Sequence, residues 1–222
     1  MSQETGKVKT MAIIASILFV SGIFGGILIA KGPLNPPKTA QSSAAYQLDL
    51  VITTNNWYNN SVGYQPAYFV VQGGKLMSSA TISIPGNVPV FVTITDYDNG
   101  SAGVASPQYA NVTGTSGNTV LIVNNTNVNS TASSANQGIN VNGGYLASQV
   151  PASLIAHTFT VFSDGKVVLN IPVLPSSVEF ATFTLPPGHY EWHCEGLCGS
   201  GPYGLEGAMT AVGWMAGTVI VN

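Results

Sequence analysis

The chain has 222 residues and a formal net charge of −3, but only 7% of its residues are charged, against about 25% in an ordinary soluble protein. It contains no arginine, and its lysines (Lys7, Lys9, Lys31, Lys38, Lys75 and Lys166) are too few and too scattered to form a phosphate-binding face. That excludes nucleic acid as a partner. The polar surface must be built from Ser, Thr, Asn, Gln and Gly, which have little charge to lose in acid, whereas ionised carboxylates must take up protons there. This points to an acidic exterior.

In chain order, residues 1 to 10 form a short polar tail, and "MAIIASILFVSGIFGGILIA", residues 11 to 30, is an uncharged apolar run bracketed by Lys9 and Lys31. A run of about 20 apolar residues spans a bilayer's hydrocarbon core. The apolar part of a cleaved secretory signal is shorter, about 7–15 residues, and ends at a small-residue site that "ILIAKGP" matches poorly. The run is therefore expected to be a retained single-pass anchor. "KGPLNPPKTAQSSA", residues 31 to 44, reads as a Pro- and Ser-rich stalk. Sequons at Asn59, Asn99, Asn111, Asn124 and Asn129 fall in turn-rich text, marking candidate glycosylation sites on an external domain. The expected arrangement is tail in the cytoplasm and bulk outside the cell membrane.

Residues 45 to 222 read as one all-β domain. "YQLDLVITT", "AYFVVQG", "VPVFVTITDYD", "NTVLIVNN", "HTFTVFSDGKVVLNI", "VEFATFTLP", "GHYEWHC" and "AGTVIVN" are β-branched and aromatic runs with Gly, Pro and Asn between them. That spacing predicts a β-sandwich or barrel. Residues 98 to 118 and 124 to 149 are rich in Gly, Ser and Asn and are expected to be long surface loops. No "GxSxG" occurs and no serine sits in an activating motif, which disfavours a hydrolase.

The chemistry gathers near the C-terminus. "HYEWHCEGLCGSGPYGLEGAMTAVGWMAGTVIV", residues 189 to 221, holds both cysteines, two of the three histidines and two methionines. Thiolate, thioether and imidazole donors suit copper, and a His/Cys/Met set on a small sandwich is an electron-transfer arrangement. The candidates are His157, Cys194, Cys198, Met209 and Met215. Each also has a purely structural reading. His157 opens a strand, Met209 can pack in its loop, and Met215 can begin the last strand's core face. Trp192 and Trp214 read as packing aromatics, and Glu191, Glu195 and Glu206 as solvated carboxylates with no nucleophile beside them.

"AHTFTVFSDGKVVLNIPVLPSSVEFATFTLPPGHYEWHCEGLCGSG", followed by "MAGTVIV", resembles the copper domain of subunit II of heme–copper oxidases. The resemblance covers residues 150 to 222; residues 45 to 149 match only as general cupredoxin-like β text. It implies a Greek-key cupredoxin sandwich in an aerobic respiratory chain, not catalytic alone. Its implied partners are the membrane, a heme-bearing catalytic subunit and an external electron donor. Carried over by position, it implies copper ligation by His157, Cys194, Cys198, the carbonyl of Gly196 and Met215. The chain departs from the family where the second histidine is due. Pro202 follows "CGSG", and the loop runs about ten residues longer before the methionine.

Three chemical outcomes stay open in the sequence: one copper held by His157, Cys194, Cys198 and Met215, a replacement nitrogen from His193 or His189, or a Cys194–Cys198 disulfide. His193 adjoins Cys194 and is expected on the opposite face of its strand. Besides an oxidase subunit with a rebuilt or degenerate site, two functions remain. One is an anchored mononuclear copper carrier, like the small blue copper proteins of acid-loving archaea. The other is a metal-free glycosylated surface module.

Overall fold

The computed structural model describes residues 44–124, 139–141 and 144–222. The anchor expected at 11–30, most of the stalk and the sequon at Asn129 lie outside the described residues. Among the described residues, no helix is long and apolar enough to cross a membrane.

The described chain is all-β, apart from short 3-10 turns, and forms two sheets. The larger sheet has eight strands. Its centre comprises β1 (Tyr46–Asn59), β5 (Val90–Asp96), β11 (Ser177–Phe183) and β6 (Val120–Asn124). β2 (Gly63–Gln72) and β3 (Lys75–Ser78) flank it on one side, and β7 (Ile139–Val141) and β8 (Gly144–Ala147) on the other, in the order β3-β2-β1-β5-β11-β6-β8-β7. The smaller sheet has five, β4 (Thr81–Ile84), β9 (His157–Ser163), β10 (Lys166–Val173), β12 (Gly188–His193) and β13 (Ala216–Val221), in the order β10-β9-β12-β13-β4. Parallel pairing of β1 with β5 and of β13 with β4 breaks an otherwise antiparallel pattern.

The side-chain alternation seen in the sequence sets the faces. β11 buries every second residue, and β5 turns Val90, Val92 and Ile94 inward while Phe91 and the threonines face out. Leu48, Leu50 and Ile52 of β1 join them and meet Phe159, Val161, Tyr190, Trp192, Val219 and Val221 from the smaller sheet. Each such aliphatic or aromatic side chain stabilises the sandwich by about 1.5–3 kcal/mol relative to exposure. β9 is buried along almost its whole length, because Phe159 and Val161 pack in the core shared with the larger sheet, while Thr158 and Thr160 meet Asn170 and the cysteine loop. Between β9 and β10, Asp164 and Gly165 both take positive φ (49° and 72°), the two-residue turn that matches strand twist in a hairpin.

Two expectations are corrected. Residues 98–118 are not a free surface loop. Ala110, Val112 and Thr115 are buried, and isolated bridges join Val104 to Gly196, Thr113 to Asn170 and Thr115 to Phe183. The segment straps the sandwich from the cysteine loop to the far end of β11 through main-chain hydrogen bonds, which Gly, Ser and Asn supply as well as apolar residues do. Within 124–149, β7 and β8 extend the larger sheet beyond β6. These strands of three and four residues are too short to show a period, and their pairing partner defines them.

Candidate metal centre

His157 begins β9, and Cys194 directly follows β12, the strand hydrogen-bonded to β9. Adjacent strands thus deliver an imidazole and a thiol to one end of the sandwich. The chain then turns back within four residues, so that Cys198 Sγ lies 3.5 Å from Cys194 Sγ, and His157 Nδ1 lies 4.0 Å from Cys194 Sγ. All three donor atoms lie within 4.8 Å of one another. His157 and Cys194 are buried, and Cys198 is partly exposed at the mouth of the cluster. Both cysteines are free thiols. Their sulfur separation is well beyond a disulfide bond of about 2.05 Å. It suits two thiolates sharing one ion at a metal–sulfur length of about 2.3 Å, as in zinc sites.

The surroundings prepare this cluster for a positive charge. His157 Nε2 faces Asp98 Oδ2 at 3.2 Å. Burial pushes the Asp98 carboxyl up, but its contacts with His157 and the N–H groups of Gly100 and Asn99 outweigh this and hold it below the ordinary range. An ionised carboxylate can only accept, so Nε2 keeps its proton, and Nδ1, which faces Cys194, is the nitrogen that can release its proton and offer a lone pair to a metal. This carboxylate–imidazole arrangement is how outer groups orient metal-binding histidines. Cys194 Sγ accepts the N–H groups of Thr158 and Gly196, each at 3.3 Å. Burial raises the Cys194 thiol, yet hydrogen bonds from Cys198 and His157, the imidazole's charge and the Thr158 N–H bring it well below its usual value. Burial opposes charge on His157, but Asp96, Asp98 and Cys194 together push it up to about 10. Without a metal, the site holds its positive charge as a proton.

Main-chain contacts lock the cysteine loop in place. Glu195 N–H donates to Thr158 Oγ1 at 2.8 Å, Ala105 N–H to Glu195 O at 2.9 Å and Leu197 N–H to Gly103 O at 3.0 Å. Thr158 Oγ1 contacts Thr160 Oγ1 at 2.7 Å, which donates to Asn170 Oδ1 at 2.7 Å. Asn170 Nδ2 then donates to the carbonyls of Tyr109 and Asn111. This buried polar chain ties β9, β10 and the 98–118 strap to the loop. Beneath it, Trp192 Nε1 donates to Ser79 O at 3.0 Å, and its ring meets Tyr68 edge-on at 5.2 Å.

The other sequence candidates divide. Met209 Sδ lies 3.2 Å from Cys198 Sγ. Met215 is buried and faces Cys194 across the strand pair, its carbonyl accepting the Cys194 N–H at 2.8 Å. Gly196 enters the site through its N–H; its carbonyl contribution stays an expectation of the resemblance. His193 turns away from the cluster, as strand alternation requires, stacking on Phe162 at 4.2 Å and pairing with Glu195. His189 is exposed on β12, paired with Ile220. Pro202 lies in a small hairpin, Ser200 to Glu206, whose tip exposes Tyr203. Sequence reasoning missed Asp98 and the Thr158–Thr160–Asn170 chain. No motif marks them, although "TDYD" at the end of a strand is the one place where two carboxylates stand close in the first half of the β domain. The side chains of Asn59, Asn99, Asn111 and Asn124 are exposed.

No family model matches the chain, and no curated protein pairs with it. Among solved structures, it is similar to rusticyanin from Thiobacillus ferrooxidans, with 14% identity over 79% of this chain and 76% of that one and a TM-score of 0.30. It is also similar to auracyanin B, with 13% identity over 80% of this chain and 89% of that one and a TM-score of 0.27. A multi-copper oxidase from Pediococcus acidilactici aligns with 89% of this chain and 30% of its own length, at 9% identity and a TM-score of 0.32. These likenesses are weak, and the site's own geometry decides what it can hold.

Proposed function

We propose that this chain is a membrane-anchored, extracytoplasmic cupredoxin-like protein of aerobic respiratory electron transfer. It would belong beside a terminal oxidase in the manner of a subunit II, with a rebuilt copper site. The observation that carries the reading is the convergence of His157 Nδ1 with the sulfurs of Cys194 and Cys198, within 4.8 Å of one another at one buried end of the sandwich. The apolar run at 11–30, the exposed sequon asparagines and the sparse surface charge support placement on the outer face of the cell membrane, with glycosylation of those asparagines.

The residues present fit copper. Two thiols, an imidazole lone pair and a thioether are soft or borderline donors, the set that selects this metal. When bound, copper would supply a one-electron couple. His157 would bind through Nδ1 while Asp98 fixes the ring and its tautomer. Cys194 would bind as a thiolate, its charge shared with the N–H groups of Thr158 and Gly196, a contact that tunes reduction potential. The strap and the polar chain from Thr158 to Asn170 hold these donors in place, so that little need move when charge changes.

Metal analysis of the full chain purified from membranes without chelator tests the reading. Copper near one equivalent, lost in Cys194→Ser, and a visible thiolate charge-transfer band after oxidation with ferricyanide are the expected results. Co-purification with heme-bearing subunits assigns the chain to an oxidase, and a copper-loaded chain without heme assigns it to a free carrier. A colourless, copper-free protein without titratable thiols would overturn the copper site altogether.

A further inference from the structure

The loop after Cys198 is longer than the resemblance implies, and its path has a consequence for the metal. Gly199 N–H donates to Gly204 O at 2.8 Å, Ser200 N–H to Glu206 O at 2.9 Å and Glu206 N–H back to Ser200 O at 3.0 Å. The extra residues are thus consumed in a tight hairpin. It returns the chain to the cluster at a single 3-10 turn, Gly207–Thr210. Met209 in that turn is buried and places Sδ 3.2 Å from Cys198 Sγ.

Two glycines make this approach feasible. A Cβ on Gly199 would stand 2.5 Å from Met209 Cγ and 2.2 Å from Glu206 O. One on Gly204, whose φ is +66°, would stand 2.1 Å from Leu197 O. The hairpin therefore lies against the cysteine loop closely enough to seat the thioether beside the second thiol. Pro202 occupies the hairpin where an imidazole is due in the family, so the nitrogen is replaced by a re-routed sulfur.

We propose that Met209, rather than Met215, supplies the fourth donor, making the site a one-copper pocket of three sulfurs and one imidazole that favours the cuprous ion. The inference rests on the copper reading above and deepens it. Four donors around one buried point suffice for a single ion. Two thiolates and a thioether with one imidazole are a softer set than copper(II) prefers, and they discriminate toward copper(I) over zinc. Met215 is the rival, because it stands opposite Cys194 in the strand pair, and directly paired residues project to the same face.

The test titrates the full chain anaerobically with copper(I) against a chromophoric copper(I) chelator, and separately with zinc. Met209→Leu should weaken copper(I) by about tenfold or more, no less than loss of an outer-shell partner does, while zinc affinity through His157 and the two cysteines changes less. Met215→Leu should stay within about twofold of wild type on the same scale. Loss on Met215→Leu with none on Met209→Leu overturns the assignment and leaves the copper reading standing. Failure of the wild type to bind copper(I) overturns the copper reading itself. Because either leucine variant can disturb folding, a second measurement uses selenomethionine-labelled Met215→Leu protein and copper X-ray absorption. Selenium at bonding distance supports Met209, and a copper shell lacking it overturns the proposal.

Discussion

Asp98 Oδ2 stands 3.2 Å from His157 Nε2, on the side of the ring away from the Cys194 sulfur. The carboxylate therefore sets which ring nitrogen is free. Asp98→Ala should lower metal affinity by about 10–100-fold, the usual effect of removing such a partner. Asp98→Asn, whose carbonyl oxygen can still accept the Nε2 proton, should retain most of it. Competition against a calibrated chelator reads both values, and equal affinity of wild type and Asp98→Ala would dismiss the orienting role.

Gly196 leaves no room for a side chain. A Cβ there would lie 2.8 Å from Ala156 O and 3.3 Å from both Cys194 Sγ and His157 Cα. Gly196→Ala should cost about 1–3 kcal/mol through overpacking and displace the N–H that donates to Cys194. Urea unfolding measures the first effect. A shifted or lost thiolate–metal band reports the second.

The buried hydroxyl–amide chain predicts a stability loss at Thr160, one hydroxyl contact from Thr158, which holds the cysteine loop. Thr160→Val removes the donor to Asn170 Oδ1 and the partner of Thr158 Oγ1. Leaving such groups unsatisfied costs about 1–3 kcal/mol. The expected result is a lower urea midpoint with an unchanged m-value, and a smaller effect for Thr160→Ser, which restores the hydroxyl.

Stability should rise toward acid. Burial, ahead of the opposing attraction of His157, pushes the Asp96 carboxyl up to about 7. Burial likewise holds Glu179 well above its ordinary value, against hydrogen bonds from Ser177 and the Leu174 N–H. Unfolded carboxylates ionise near pH ~4, so between there and neutrality the native state keeps protons that the unfolded chain has released. The stability that protonated Asp96 contributes is therefore present at low pH and lost as pH rises from about 4 through about 7, and Glu179 acts in the same direction. His157, whose folded value is raised to about 10, acts in the same direction above its unfolded value of about 6.5. A metal-free Cys194→Ser chain, which lacks the opposing contribution of the lowered Cys194 thiol, should have a higher urea midpoint near pH ~5 than near pH ~7.5, and Glu179→Gln in that background should flatten the slope. A midpoint of the Cys194→Ser chain that climbs toward neutral pH would contradict this assignment.

Several of these residues were legible in the linear text and others were not. The strands around "VFVTITD" and "VEFATF" show their period because each has one face on the core, and their burial alternates as written. β3, β4, β7 and β8 escaped notice because strands of three or four residues depend on a neighbour rather than on a pattern of their own. The 98–118 segment was misjudged for a related reason. Its Gly, Ser and Asn content resembles that of a solvated loop, yet its amides and carbonyls pair with β10, β11 and the cysteine loop.

The sequence by itself determined the all-β character and the soft donor set at the C-terminal end, since alternation and side-chain chemistry are local properties. It also determined the charge-poor surface, which follows from composition alone. Only the tertiary structure decided that Asp98 would meet the imidazole 59 residues away and that Met209 would touch Cys198. Those contacts depend on how a strap and a hairpin pack against strands distant in the chain, and packing between remote segments leaves no period or spacing in the text.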